Sequence, residues 1–70
     1  MKDKMLGYLE TKALTDFQAA HISLDLLMNK PVGIGDHSTE DFTKNLDEAL
    51  DKLVDAKDRL DMVMWIKENV

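Results

Sequence analysis

Cysteine is absent from the 70 residues, and the chain has only one proline and three glycines. Without thiols it cannot form a disulfide framework, a thiolate zinc site or a cysteine nucleophile. Long apolar runs are missing too, since none approaches the roughly eighteen residues that a membrane-spanning helix needs. We therefore expect a protein that neither depends on disulfides nor inserts into a membrane.

Basic residues are in the minority, because nine Lys and Arg stand against fourteen Asp and Glu, for a net charge of −5. That balance disfavours binding to nucleic-acid phosphates or to an anionic membrane surface. Residues 1–7 have neither the apolar segment nor the cleavage site of a secretory signal, so we expect a cytoplasmic protein. With 44% hydrophobic residues, the chain is predicted to fold as one unit.

The first half of the chain carries apolar residues at the spacing of one helix stripe. Steps of three or four residues place such side chains on one side of an α-helix. The stripe consists of Leu6, Leu9, Ala13, Phe17, Ala20, Leu24 and Leu27. Pro31 disfavours the helical conformation at Lys30 and cannot continue the hydrogen-bond ladder. The pattern therefore predicts a helix over about 3–29.

The second half has a stricter pattern, in which steps of four and three residues alternate as in a coiled coil. Its seam consists of Phe42, Leu46, Ala49, Leu53, Ala56, Leu60 and Val63. The Ser38 hydroxyl can accept a hydrogen bond from the backbone N–H of Asp41, and the acidic residues nearby suit the positive end of the helix dipole. We expect this helix to cover about 38–69.

Residues 30–37 form a connection short enough to join neighbouring antiparallel helices. Two glycines supply backbone angles that other residues resist. We predict a structural turn that uses Pro31, Gly33, Gly35, Asp36, His37 and Ser38. The predicted fold class is therefore all-α, with residues 1–70 forming a single two-helix antiparallel hairpin.

Several apolar residues lie away from both stripes and need a further surface to cover them. They are Tyr8, Ala19, Ile22 and Leu26 in the first helix and Val54, Met62, Trp65 and Ile66 in the second. A core this small rarely contributes more than about 3–5 kcal/mol, so a lone hairpin is marginal. We therefore predict a homodimer, a two-fold four-helix bundle with Ile22, Leu26 and Trp65 in the interface.

No catalytic, cofactor-binding or metal-binding set can be assembled from the sequence. The two imidazoles, His21 and His37, lie about 12 Å apart along the hairpin, whereas a zinc ion needs its nitrogens within about 2.1 Å. The Gly33-Ile34-Gly35 turn precedes a helix as an anion cradle does, but the acidic residues beside it would repel an anion. We expect no enzyme activity, no cofactor and no metal.

Aspartates repeat by three or four residues along the outer side of the second helix. We name this series the Asp ladder; it consists of Asp47, Asp51, Asp55, Asp58 and Asp61. A solvated helix face has this composition, and pairs at i, i+4 such as Asp55 with Arg59 favour that interpretation. The ladder could also imitate nucleic-acid phosphates toward a basic host protein.

Residues 29–38 read Asn-Lys-Pro-Val-Gly-Ile-Gly-Asp-His-Ser. This run between two amphipathic helices resembles the Pro-Val-Gly-Ile-Gly-acid-His-Ser stretch of small helical-hairpin proteins from tailed phages and marine viral sequences. The resemblance covers the turn closely and the helices in pattern. It implies a viral or marine source and hence the cytoplasm of a host cell. That family has no assigned activity, so the resemblance supplies no catalytic or binding residue.

Two classes of function follow from the sequence. The first is a non-enzymatic, homo-oligomeric helical interaction module, for example a phage accessory protein that docks on a host or virion protein. The alternative is an acidic inhibitor that mimics nucleic acid and blocks a host nucleic-acid-binding protein. The two differ in salt dependence, because a phosphate mimic loses its partner steeply as salt rises and an apolar contact does not.

Overall fold

The computed structural model describes residues 1–29 and 39–69. These residues form two α-helices and no strand: α1 spans Lys2–Met28 and α2 spans Thr39–Asn69. The all-α, two-helix prediction is confirmed. The predicted turn lies outside the described residues, and this applies to each of Pro31, Gly33, Gly35, Asp36, His37 and Ser38.

An asparagine stands at the end of each helix. The Asn29 side-chain amide donates to the backbone carbonyl of Asp25 at 2.8 Å, and the Asn69 amide donates to that of Trp65 at the same distance. Asparagine side chains that bond to nearby backbone groups compete with helical hydrogen bonding and favour helix ends. The Asn29 side chain, at the C-cap of α1, therefore explains locally where that helix stops.

The two helices pack along each other in opposite directions, and one ion pair defines their register. The Lys67 Nζ lies 3.0 Å from Glu10 Oε1, which joins the end of α2 to the beginning of α1. In antiparallel helices, one step toward the C-terminus of α1 corresponds to one step toward the N-terminus of α2. Phe17 is then level with Leu60, so the two apolar seams face each other.

The same register makes the hairpin staggered. Met28 is level with Ala49, so residues 39–48 of α2 extend beyond the end of α1. The Cα atoms accordingly span 54 × 13 × 13 Å, which is longer than the roughly 46 Å of α2 alone at about 1.5 Å per residue. We call the end of the hairpin that carries Glu10 and Lys67 the open end, and the other end the turn end.

The core of the hairpin is made of small side chains. All seven predicted seam residues of α2 are buried or half-buried. Among the described residues, however, only Ala13, Ala49, Ala56 and Val63 are buried to an exposure of 5–8%. Alanines at seam positions let two helices approach closely, but they bury little apolar area each. The hairpin therefore has a narrow contact and a small hydrophobic core.

At two positions the seam differs from the predicted stripe. Leu9 was predicted to face the core, but it is exposed and Glu10 is half-buried in its place. Alternating steps of four and three residues pass through Glu10, and its carboxylate is satisfied there by Lys67. Ile66, placed off the seam above, is half-buried because it follows Val63 by three residues and continues the same stripe.

Replacing Gly7 by alanine is expected to stabilise the protein by about 0.5–1 kcal/mol, because glycine in a helix loses more backbone entropy on folding. Gly7 lies in α1, is exposed, and a Cβ atom built there meets no other atom within 4 Å. Chemical denaturation would measure the gain. A destabilised variant would mean that this part of α1 is not helical in solution.

Candidate interaction surface

One side of the hairpin carries a continuous groove between α1 and α2, which we name the groove face. Its open half, of about 420 Å³, has large apolar walls that include Tyr8, Leu9, Met62 and Ile66. Tyr8 and Met62 are both more than half exposed. This half of the face therefore presents bulky apolar side chains to its surroundings.

The turn half of the groove face has a different lining. Its floor, in a groove of about 500 Å³, consists mostly of small residues, with Leu27 and Asn45 toward the turn end; the small ones are Ala19, Ala20, Ser23, Ala49 and Ala56. Charged side chains from α2 stand along its rim, namely Glu48, Lys52 and Asp55. Asp16 and Arg59 line both halves and mark the boundary between them. The turn half is thus a shallow recess with a charged edge.

The three residues predicted to form an oligomer interface are all exposed in the single chain. Ile22, Leu26 and Trp65 keep 60%, 62% and 58% of their surface accessible. Ile22 follows Ala19 by three residues and Leu26 follows Ser23 by three, so both lie beside the groove on α1. Trp65 follows Met62 by three residues on α2 in the same way. None of the three lines the groove itself, and each lies one helical step outside the lining, on the side away from the seam.

Exposed hydrophobic residues are abundant among the residues described. Thirteen large ones are exposed, and no large side chain is fully buried. Beyond the residues already named, they are Met1, Met5, Leu14, Met28, Leu50, Val54 and Met64. Isolated apolar residues are normal on a surface, but a contiguous set along a groove is typical of a binding surface.

The Asp ladder is exposed along its whole length. Asp61 accepts hydrogen bonds from Lys57 Nζ at 3.0 Å, and Asp55 lies 4.0 Å from Arg59 Nε. Both pairs are exposed ion pairs within α2, which contribute less than about 1 kcal/mol each. Most of the ladder's charge is therefore compensated by solvent.

Replacing both Asp51 and Asp58 by asparagine should change stability by no more than about 0.5 kcal/mol, because exposed charges away from specific contacts contribute little. Easing the repulsion within the ladder could raise stability slightly. Denaturation with and without calcium tests this. A loss of several kcal/mol, or a large calcium-dependent stabilisation of the parent protein, would show that the ladder binds a specific ligand.

The described residues contain no group of three or more His, Asp or Glu side chains placed to hold a metal ion. His21 is exposed and stacks on Phe17, with ring centroids 6.3 Å apart and an interplanar angle of 18°. This contact gives the imidazole a packing role at the edge of the seam. Neither described helix is long and apolar enough to cross a membrane.

The fold and its surface define a class: a staggered pair of amphipathic helices with a small alanine-rich core and an uncovered apolar groove. Comparisons with protein-family models, with curated proteins and with solved structures find no match to this chain. The geometry and chemistry of the surface are therefore the basis for proposing a function.

Sequence reasoning found the exposed apolar residues but missed the ion pair between Glu10 and Lys67. The signal was present, because α1 has its own alternating pattern of four and three residues from Leu6 to Leu27, with Glu10 on it. Extending the seam of α2 by four residues beyond Val63 likewise reaches Lys67. Two opposite charges on facing seams predict an ion pair between the helices.

Proposed function

We propose that this protein is a non-enzymatic helical interaction module that works as a homodimer, with two hairpins forming a four-helix bundle. The observation that carries the proposal is the exposure of large apolar side chains beside and within one groove. A second chain on the groove face covers Ile22 and Leu26, and it also contacts Trp65. Each large side chain buried in this way contributes roughly 1.5–3 kcal/mol.

The size of the core supports the same conclusion. Three of the four buried residues in the described helices are alanines, and a two-helix domain of this length has a marginal stability of its own. Association supplies the missing apolar burial, as in natural four-helix bundles built from hairpins. Folding and dimerisation are then linked, and neither occurs fully without the other.

The cellular role we propose is that of an accessory protein, acting in the cytoplasm of a host cell and docking on a host or virion protein. The resemblance of residues 29–38 to the turn of phage and marine viral hairpin proteins supports this role. Among the remaining exposed apolar residues, Leu14, Leu50 and Met64 lie on the side of the hairpin away from the groove face and offer a surface for such a partner. No catalytic step, cofactor or metal is part of this proposal.

Thermal unfolding at different protein concentrations tests the homodimer. Over about a hundredfold range of concentration, the melting temperature is expected to rise by roughly 5–10 °C, because association stabilises only the folded chains. Circular dichroism at the helical minimum follows the transition. A melting temperature that does not depend on concentration, in a folded sample, would contradict the proposal.

The exposed Asp ladder favours a second candidate function, an acidic inhibitor that imitates nucleic acid. A pull-down from host extract at low and high salt separates the two. A partner of the ladder is lost as salt rises and also when Asp51 and Asp58 are replaced by asparagine, because the contact is electrostatic. A partner that docks on apolar residues is retained in both cases.

A further inference from the structure

The groove face is divided into two halves that differ in charge as well as in shape. The open half, residues 1–16 and 59–69, carries five acidic and five basic residues. The described part of the turn half, residues 17–29 and 39–58, carries eight acidic and three basic residues. All of the net charge of −5 thus falls on the helix segments of the turn half, counted around their whole circumference, and the segments of the open half are neutral. Within the groove lining the difference is smaller but has the same sign: apart from the shared Asp16 and Arg59, the turn half has Glu48, Lys52 and Asp55, and the open half has Lys12.

We propose that the two hairpins of the dimer stack on their groove faces in opposite directions, so that the neutral, bulky open half of each copy covers the acidic, small-residue turn half of the other. We call this antiparallel arrangement end-to-end packing. This inference rests on the homodimer proposed above and adds the identity of the face and the direction of packing. The two-fold axis then runs across the hairpins, near the boundary at Asp16 and Arg59.

Charge decides between the two directions that two-fold symmetry allows. If the open ends lay together, both acidic halves would face each other, with Glu48 and Asp55 of each copy within the Debye length of about 8–10 Å at physiological salt. End-to-end packing moves the two acidic halves to opposite ends of the bundle. Each then lies against a neutral surface, and like-charge repulsion across the interface is avoided.

Shape favours the same direction. The open half projects Tyr8, Met62 and Ile66, while the floor of the turn half consists mostly of alanine and serine side chains, with Leu27 and Asn45 toward the turn end. Packing bulky side chains over small ones is how facing helical layers fill space without voids. With the open ends together, bulky residues would meet bulky residues and the recesses would face each other as a cavity.

The area of the face suits a second copy of this chain. It is 54 Å long and 13 Å wide between Cα atoms, and stable interfaces bury about 800 Å² on each partner. Overlap along most of the hairpin is therefore needed. End-to-end packing provides that overlap and covers Ile22 and Leu26 beside the recess.

Distances between spin labels test the direction of packing. The chain has no cysteine, so Lys44→Cys and Glu68→Cys each give a single labelling site per chain. Both residues are exposed in α2, outside the groove lining, and lie near the turn end and the open end. Circular dichroism and the melting temperature of each labelled variant are compared with the parent to verify the fold.

In the end-to-end dimer the two label-to-label distances, one from each variant, should add up to about 70 Å or more, wherever the two-fold axis crosses the hairpin. In each variant, the label-to-label distance along the hairpin is twice the distance from one label to the two-fold axis. The two sites are 24 residues apart along α2, which is about 36 Å, so the two label-to-label distances together amount to at least twice that separation. With the open ends together, both distances stay below about 30 Å, because helices in a bundle are 8–10 Å apart.

The outcomes separate this inference from the proposed function. A summed distance of about 70 Å supports end-to-end packing. Two short distances overturn the direction of packing and leave the homodimer in place. Folded variants that show no dipolar interaction between labels are monomeric, and they overturn both the packing and the homodimer.

Discussion

Replacing Leu26 by aspartate should dissociate the dimer at micromolar concentration and lower the melting temperature. Leu26 is 62% exposed in the single chain and lies beside the recess of the groove face. The dimer contains this residue twice, and each copy contributes roughly 1.5–3 kcal/mol when covered. The dissociation constant is therefore expected to rise by a factor of about 10² to 10⁴, even before the cost of covering a carboxylate.

The matched control is Leu14→Asp. Leu14 is on the same helix and is 44% exposed, but it lies about 120° around the helix from Leu26, outside the groove lining. Size-exclusion chromatography and thermal unfolding of both variants give the comparison. Equal dissociation by both would place the interface elsewhere, and an unchanged mass and melting temperature for Leu26→Asp would contradict a contact at the groove face.

Replacing Ala56 by leucine should destabilise the fold by about 1–3 kcal/mol, because extra volume in a closely packed seam forces the helices apart. Ala56 is 6% exposed and lies in the alanine-rich floor between α1 and α2. Alanine and leucine have similar helix propensities, so the loss reports packing between the helices. For a hairpin this small, that loss is a large fraction of the total stability.

Asp58→Leu is the control for the overpacking experiment. Asp58 is exposed on the outer side of α2, two residues from Ala56, so leucine there meets solvent and should change stability by less than about 1 kcal/mol. Urea denaturation of both variants measures the difference. If Ala56→Leu were as stable as the control, Ala56 would not lie at a close helix contact.

The strict alternation of steps in α2 made its core side predictable, and every seam residue from Phe42 to Val63 is buried or half-buried. The core-facing stripe of α1 was harder to predict, because Leu9 and Glu10 are adjacent. Hydrophobicity favours Leu9 as the core residue, although Glu10 is the one that faces α2. Glu10 faces α2 because Lys67 satisfies its carboxylate. A charge at a seam position becomes interpretable only when its partner on the other helix is known.

The spacing of apolar residues along the sequence also indicated which of them lie outside the core of the hairpin, and Ile22, Leu26 and Trp65 are indeed exposed. It could not indicate that they lie beside one groove with a bulky half and a recessed half. That arrangement depends on the stagger between α1 and α2, which is visible in the contact between Glu10 and Lys67, 57 positions apart in the sequence. A periodic pattern is local and carries no information about such a contact.

Sedimentation equilibrium of the unmodified protein at micromolar concentration tests the central claim most directly. If two hairpins form a four-helix bundle, the fitted mass is twice the 8.0 kDa of one chain, and it falls toward the single-chain mass only on dilution, together with helicity. A folded, helical species with the mass of one chain across the whole concentration range would contradict the homodimer and the function proposed from it.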